Sequence, residues 1–290
     1  MNSALVIGGD GLIGRALTAE LLSSRLKVVS TSRSHNIQNN QIHFDLDVGA
    51  DNLLGLIKWV PDVVYICAAV TGFAACANNP TATYNTNVTQ TVELASHFIQ
   101  QGSRVVYLSS NAVFDGTRAF EKEISDVSPV SEYGRQKAEC EKKLLDVASR
   151  FSTQCYVVRL TKVVDISLAL YSDWINAFEL NLPVKAAIDL TFCPISSKYV
   201  VDTLKMIGSA KQGGIFHLSG EKDITYFDLA NTLMNIKEKS SKVEQDLIQN
   251  RLGLVPSPQH TALSMEHTSK LIGILPQPIE SVARDLMLKI

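Results

Sequence analysis

The chain has 290 residues, of which 46% are hydrophobic and 19% are charged, so it can bury a full core as one large domain or two closely joined ones. Its 27 basic and 29 acidic residues give a net charge of -2, which excludes the basic excess that drives binding to nucleic acids or anionic membranes. Five cysteines without a Cys-x-x-Cys pair argue against a disulfide scaffold. We therefore expect a cytoplasmic protein without a signal peptide or a membrane span.

Short β-branched runs alternate with longer helical patterns in the first half of the chain, which is typical of a parallel sheet covered by helices on both faces. Strands are predicted at residues 4–7, 27–31, 42–44, 63–67, 105–108 and 155–159. Helices are predicted at residues 12–24, 52–59, 81–101 and 133–149. This order predicts an α/β domain with a doubly wound parallel sheet, a Rossmann fold, over residues 1–160.

After residue 160 the predicted elements become shorter, and prolines separate helices such as residues 172–180. This pattern predicts a smaller C-terminal substrate-binding lobe over residues 161–290. The helical pattern of residues 197–207 and the apolar run of residues 215–218 indicate that residues 196–220 return to the first domain.

A glycine-rich turn, GGDGLIG at residues 8–14, connects the first predicted strand to the first predicted helix. In that context the small residues let the backbone approach a pyrophosphate at the N-terminus of the helix. An ordinary glycine-rich turn is the alternative, but five further strands behind the turn favour a dinucleotide site. The predicted cofactor contacts here are Gly8, Gly11, Leu12, Ile13 and Gly14.

The end of the second strand normally distinguishes NAD from NADP, because an acidic residue there binds the ribose 2′-hydroxyl. Residues 30–34 read STSRS and contain no carboxylate. The guanidinium of Arg33 and the hydroxyl of Ser32 suit a 2′-phosphate, which favours NADP. An Arg33 that stacks on adenine or faces solvent would leave NAD open.

A Tyr and a Lys lie four residues apart at Tyr133 and Lys137, which places both on one face of a helix. An ammonium near a phenol favours the phenolate and lowers its pKa, so this pair is suited to proton transfer. Ser110 follows the fifth strand, at the edge where open α/β sheets bind ligands, and can donate to a substrate oxygen.

With these motifs the sequence resembles the extended short-chain dehydrogenase/reductases, and in particular their dTDP-4-dehydrorhamnose reductase branch, over about residues 3 to 220. The resemblance implies reduction of a nucleotide-activated keto-sugar by NADPH, with Tyr133 as proton donor, Lys137 as its tuning and ribose-binding partner, and Ser110 as the group orienting the carbonyl. Asn87 would hold the active-site lysine or its water, and a helix-cap or buried structural amide is the alternative for this residue. The further cofactor contacts implied are Asp45, Leu46, Ala68, Ala69, Asn87, Ser109 and Leu160.

Two segments depart from that branch. Residues 110–112 read SNA where the branch has Thr-Asp-Tyr, and residues 159–162 read RLTK where it has Arg-Thr-Ser-Trp. Both would border the substrate between the sheet edge and the second lobe, so the identity of the sugar stays open. Lys162 would pair with a phosphate or an acidic sugar group, with a solvent-facing lysine as the alternative. The predicted substrate contacts are Thr71, Asn111, Phe114 and Lys162.

Two other functions stay open beside the reductase. An NAD-dependent nucleotide-sugar epimerase would use the same fold, whereas the missing carboxylates at residues 111–112 argue against a dehydratase. Relatives of the branch include a non-catalytic subunit that regulates methionine adenosyltransferase. Scattered histidines and cysteines predict no metal site. The expected partner is a small-molecule substrate, not a nucleic acid or a membrane, and a homodimer is an open alternative to a monomer.

Overall fold

The computed structural model describes residues 1–239, 241–247 and 258–288. The chain forms two units. The first consists of Met1–Phe114, Asp126–Arg159 and Val201–Phe216, and the second of Asp115–Ser125, Leu160–Val200 and His217–Ile290. The segment Asp115–Ser125 belongs to the second unit, whereas the sequence pattern places it in the first domain.

The described secondary structure is as follows. The strands are β1 (Ser3–Ile7), β2 (Lys27–Ser32), β3 (Gln41–His43), β4 (Val63–Ile66), β5 (Arg104–Ser110), β6 (Cys155–Leu160), β7 (Lys162–Val164), β8 (Val184–Ala187), β9 (Thr191–Phe192), β10 (Pro194–Ser196), β11 (Gly214–Leu218), β12 (Ile224–Thr225) and β13 (Val243–Asp246). The helices are α1 (Leu12–Ser23), α2 (Asp51–Leu54), α3 (Phe73–Asn78), α4 (Pro80–Tyr84), α5 (Thr91–Gln100), α6 (Glu132–Phe151), α7 (Ala169–Glu179), α8 (Ser197–Ile207), α9 (Tyr226–Ile236), α10 (Glu266–Ile272) and α11 (Ile279–Met287).

The first unit is built on a seven-stranded sheet with the strand order β11-β6-β5-β4-β1-β2-β3. The pairings from β3 through β2, β1 and β4 to β5 are parallel. The chain runs outward from β1 to β3 on one side and from β4 to β6 on the other, so the strand order reverses between β1 and β4. The predicted doubly wound Rossmann fold is confirmed, and ligands of such sheets bind outside the strand ends at this reversal.

The central strands are buried on both faces, because helices cover the sheet on both sides. Residues Ala4 to Ile7 of β1 have no exposed surface, and Val63 to Tyr65 of β4 have none either. The apolar runs that predicted these strands therefore also form the core. Aliphatic and aromatic side chains of α5 and α6 pack against them, including Leu94, Phe98 and Leu144.

Two predicted helices differ in detail from the observed ones. The pattern predicts a helix over residues 52–59, but α2 ends at Leu54, where Gly55 follows and weakens the helix. The pattern at residues 81–101 is realised as α4, a π-helix at Asn85–Gln90 and α5, which follow one another without a break. Such π-segments are frequent at functional sites.

The second unit has its own core. Its strands form three two-stranded pairs, in which β7–β10 and β8–β13 are parallel and β9–β12 is antiparallel. Apolar residues of α7, α9 and α11 pack together in this core, among them Tyr171, Trp174, Phe178, Leu229, Leu233 and Leu286. No helix within the described residues is both long and apolar enough to cross a membrane.

Candidate active site

The glycine turn between β1 and α1 requires glycine at two positions. Gly8 has a φ of +89°, a left-handed conformation that glycine adopts without strain. A Cβ on Gly14 would lie 2.1 Å from the carbonyl oxygen of Gly8, so only a glycine lets α1 start this close to the turn. Gly11 caps α1 without a side-chain hydrogen bond, which leaves the N–H groups of the first helical turn for a ligand.

A cavity of about 210 Å³ lies beside this turn and along the ends of β1, β2 and β4. Seven of the predicted cofactor contacts line it: Gly8, Gly11, Arg33, Asp45, Leu46, Ala68 and Ala69. Leu12, Ile13 and Gly14 form the adjoining first turn of α1, and Ser32 ends β2 next to Arg33. The remaining predicted contacts, Asn87, Ser109, Tyr133, Lys137 and Leu160, do not line this cavity.

Two carboxylates that line this cavity, Asp10 and Asp47, are absent from the sequence-based site, and Asp10 is bonded to the end of β2. Oδ2 of Asp10, the middle residue of the glycine turn, accepts hydrogen bonds from the Ser32 hydroxyl at 2.6 Å and from the Arg33 backbone N–H at 3.0 Å. The end of β2 therefore has an acidic partner although its own residues contain none. The acidic residue within the glycine turn was the signal in the sequence that could have indicated this contact.

The predicted catalytic residues come together in the first unit. Helix α6 begins just before Tyr133, where the Ser131 hydroxyl accepts a hydrogen bond from the Gly134 N–H at 3.0 Å. A Cβ on Gly134 would lie 2.0 Å from the carbonyl oxygen of Ala112, so a glycine here lets α6 approach the segment after β5. The Ser110 side chain, at the end of β5, lowers the pKa of Tyr133, so the two side chains are close neighbours.

Lys137 lies buried one turn further along α6. Its Nζ donates to the carbonyl oxygen of Leu108 at 2.9 Å, and it lies 4.6 Å from the ring centroid of Tyr107 and 5.8 Å from that of Tyr133. Burial lowers the pKa of Lys137 to about 8. The ammonium is thus held in place by a backbone carbonyl and two aromatic rings.

The pKa of Tyr133 differs from the expectation that Lys137 would lower it. Burial raises this pKa to about 12, and the neighbouring Ser110 opposes the shift only in part. This direction is opposite to the expected one because burial desolvates the phenolate, while Nζ of Lys137 is directed at the Leu108 carbonyl. Tyr133 is therefore protonated at neutral pH, as a proton donor has to be.

Asn87, a predicted cofactor contact, is buried on the π-helix. Its Oδ1 accepts from the Val70 N–H at 2.8 Å, and its Nδ2 donates to the Val70 carbonyl at 2.9 Å and to Oε1 of Gln136 at 2.8 Å. The Asn87 amide thus joins the segment after β4 to α6.

The predicted substrate residues have different surroundings. Thr71 is exposed after β4, and Asn111 directly follows Ser110. The ring of Phe114 is buried, with its centroid 5.1 Å from the Arg159 guanidinium, which favours packing over substrate contact. Lys162 is exposed on β7 of the second unit.

An aromatic residue outside the predicted set lies on Tyr133. The Phe73 ring meets the Tyr133 ring edge to face, with centroids 5.4 Å apart, and 56% of Phe73 is exposed. An apolar surface is therefore available beside the proton donor.

A buried ion pair next to the site was also missed. Arg159, at the end of β6, donates to Oε2 of Glu141 at 2.7 Å through Nη2 and to both carboxylate oxygens at 3.1 Å through Nε. The Ser109 hydroxyl donates to the same carboxylate. Glu141 follows Tyr133 and Lys137 at four-residue intervals on α6, and this spacing was the available signal.

The fold and the site together define a class of protein. A glycine turn at the reversal point of a parallel sheet, with Ser, Tyr and Lys side chains gathered on β5 and α6, is the arrangement of the extended short-chain dehydrogenase/reductases. The family model described as the RmlD substrate binding domain matches residues 1–289. The chain belongs to this family, which confirms the resemblance inferred from the motifs.

Individual relatives are distant but cover nearly the whole chain. A dTDP-4-dehydrorhamnose reductase of Aggregatibacter actinomycetemcomitans is 23% identical over 309 residues, which cover 99% of this chain and 98% of the relative. Methionine adenosyltransferase 2 subunit beta of Xenopus tropicalis is 24% identical over 288 residues, covering 93% and 82%. The structure of Bacillus anthracis dTDP-4-dehydrorhamnose reductase in complex with NADP has the same fold, with a TM-score of 0.83, 17% identity and 99% coverage of both chains.

Proposed function

We propose that this protein reduces the keto carbon of a nucleotide-activated sugar with a nicotinamide cofactor, in the manner of a dTDP-4-dehydrorhamnose reductase. The observation that carries the proposal is the grouping of Ser110 on β5 with Tyr133 and the buried Lys137 on α6, where Nζ of Lys137 lies 5.8 Å from the ring centroid of Tyr133. We also propose that the protein is cytoplasmic and forms a homodimer. Light scattering would measure the mass of the homodimer.

The residues of the glycine turn fit a dinucleotide. Side chains at Gly8 or Gly14 would collide with Ala68 and with the turn itself, so glycine is required for a tight turn whose backbone at Gly8 and Gly11 lines the cavity. Gly8, Gly11, Ala68 and Ala69 would hold the cofactor, which supplies the hydride.

The chain's own residues provide the proton and the charge stabilisation. Ser110 holds the carbonyl oxygen, and Tyr133 donates its phenolic proton to the alkoxide that develops there. The phenolate left on Tyr133 is stabilised by the Lys137 ammonium 5.8 Å from its ring centroid. The exposed ring of Phe73 provides an apolar surface for the sugar beside these groups.

A panel of nucleotide-linked 4-keto sugars tests the proposal. We expect the pure protein to oxidise NADPH or NADH in the presence of at least one of them, seen as loss of the reduced nicotinamide absorbance. The proposal fails if no keto-sugar is reduced and neither cofactor binds. Epimerisation of a sugar without net cofactor oxidation would instead indicate the epimerase alternative.

A regulatory subunit is a second candidate, because the similarity to methionine adenosyltransferase 2 subunit beta covers 93% of the chain. In that case the protein would bind a methionine adenosyltransferase catalytic subunit and change its activity. Titration of that enzyme with this protein, while the rate of adenosylmethionine formation is followed, separates the two functions.

Arg33 should strengthen binding of the phosphorylated cofactor. We expect wild type to bind NADPH more tightly than NADH, and Arg33→Ala to weaken NADPH binding by about 1.5 to 3 kcal/mol, since a charge-assisted contact is lost. NADH binding should change little. Calorimetric titration of both cofactors measures this, and equal affinities in wild type would contradict it.

Lys137 should contribute to cofactor binding as well as to turnover. We expect Lys137→Met to weaken the binding of both cofactors by about tenfold or more, because the buried ammonium is a charged hydrogen-bond donor next to the site. Lys142→Met, which changes an exposed lysine of the same helix, is the matched control. Unchanged cofactor affinity in Lys137→Met would restrict the lysine to the proton-transfer step.

A further inference from the structure

The carboxylate of Asp10 lies at the end of β2, the strand end at which dinucleotide folds distinguish NADP from NAD. We propose that Asp10 is a specificity-determining residue that restrains the preference for the phosphorylated cofactor, so that the protein accepts both NADPH and NADH. This inference rests on the proposed function, because it concerns the ribose end of the same cofactor site.

The position of Asp10 is set by backbone contacts around it. The Gly9 N–H donates to the Thr31 carbonyl at 2.8 Å, and the Gly8 N–H donates to the Thr31 hydroxyl at 2.9 Å, so the glycine turn is tied to the end of β2. Asp10 follows directly and accepts from Ser32 and Arg33 through Oδ2. Its carboxylate is thereby held at the strand end that contacts the ribose 2′ substituent in dinucleotide folds.

The hydrogen bonds of Asp10 occupy donors that a 2′-phosphate would need. The Ser32 hydroxyl and the Arg33 N–H are directed at Oδ2 of Asp10, and a phosphate would have to displace the carboxylate to reach them. It would also meet a like charge, which opposes the attraction of the Arg33 guanidinium. A 2′-hydroxyl meets neither obstacle, because it can donate to the second carboxylate oxygen of Asp10.

The other carboxylates that line the cavity also disfavour a 2′-phosphate. Its lining contains three carboxylates, Asp10, Asp45 and Asp47, and one guanidinium, Arg33. Asp45 accepts from the Asp47 N–H at 3.1 Å, and Asp47 accepts from the Thr86 hydroxyl, so these two carboxylates serve the short helix at residues 46–48. Asp10 alone of the three is bonded to the end of β2. Its effect on a 2′-phosphate is therefore specific, whereas Asp45 and Asp47 add only to the overall negative charge of the cavity.

Asp10→Asn is the sharpest variant, because asparagine keeps the shape and an acceptor oxygen but removes the charge. We expect NADPH affinity to rise about tenfold and NADH affinity to fall a few-fold, as the charge-assisted bond to a 2′-hydroxyl becomes a neutral one. Asp10→Ala also frees both donors and should shift the affinity ratio in the same direction. Asp10 itself is exposed, and only Asp10→Ala removes the acceptor of the buried Ser32 hydroxyl.

Asp45→Asn is the matched control, since it removes one charge from the same cavity without touching the end of β2. Its NADPH to NADH affinity ratio should stay within about twofold of the wild-type ratio, because both cofactors share the adenine end of the site. A ratio that moves as far in Asp45→Asn as in Asp10→Asn would overturn the specific role of Asp10.

Direct titration of NADPH and NADH into wild type and the three variants, by calorimetry and without substrate, tests the inference. A shift of the ratio toward NADPH in both Asp10 variants supports it. An unchanged ratio, or a shift toward NADH, overturns it while the proposed function stands. If wild type binds neither cofactor, the proposed function itself fails. Thermal melting of each variant verifies that it is folded.

Discussion

Tyr133→Phe should lower the turnover of keto-sugar reduction by about 10² to 10⁴, the usual contribution of a positioned proton donor. The phenol of Tyr133 is protonated at neutral pH because burial raises its pKa to about 12, so the wild-type protein holds the proton ready for transfer. Phenylalanine preserves the ring that packs on Phe73 and removes only the hydroxyl. Cofactor affinity and the free energy of unfolding should therefore stay nearly unchanged.

Steady-state kinetics with saturating cofactor measure this effect. Tyr107→Phe is a suitable control, because it removes a second buried phenolic hydroxyl, from a ring whose centroid is 4.6 Å from Lys137, without removing the proposed donor. It should retain most of the activity. If Tyr133→Phe turns over at the wild-type rate, another group donates the proton and the mechanism proposed for this site is wrong.

Glu141→Gln should destabilise the protein by about 3 to 5 kcal/mol, the range observed when one partner of a buried ion pair is removed. The side chains of Arg159 and Glu141 are only 3% and 4% exposed, so the guanidinium that remains could not be hydrated. The Ser109 hydroxyl would also lose a charged acceptor. Denaturant unfolding followed by circular dichroism measures the change in the free energy of unfolding.

Glu139→Gln provides the control on the same helix. Glu139 pairs with Lys143 at 2.9 Å, and its side chain is 43% exposed, so its loss should cost no more than about 1 kcal/mol. A double variant, Glu141→Gln with Arg159→Met, should recover much of the lost stability, because no buried charge is left unpaired. Equal losses for Glu141→Gln and Glu139→Gln would show that the buried pair does not stabilise the fold.

The Glu141 pair also bears on the site. Ser109 precedes Ser110 on β5, and Glu141 lies on the face of α6 that carries Tyr133 and Lys137. The hydrogen bond from Ser109 to Glu141 thus joins β5 and α6, the two elements that hold the proposed catalytic groups. A loss of activity in Glu141→Gln beyond its loss of folded protein would identify Glu141 as a positioning residue.

The sequence was sufficient for features that depend on local periodicity and on conformation. Apolar runs predicted the central strands because parallel strands are buried on both faces. The four-residue spacing placed Tyr133 and Lys137 on one helix face, and the glycines at positions 8 and 14 marked a turn where a Cβ would collide with backbone. These properties follow from bond geometry and side-chain size, so they can be read without knowing which segments meet.

Only the tertiary structure decided the features that depend on distant segments. Asp10 and Ser32 are 22 residues apart, and Arg159 and Glu141 are 18 apart, so no local pattern shows that their side chains are bonded. The pKa of Tyr133 likewise depends on how deeply the phenol is buried, which the spacing to Lys137 does not determine. Electrostatic interactions and desolvation act through space, and the distances and burial that set them exist only once the sheet and helices have packed.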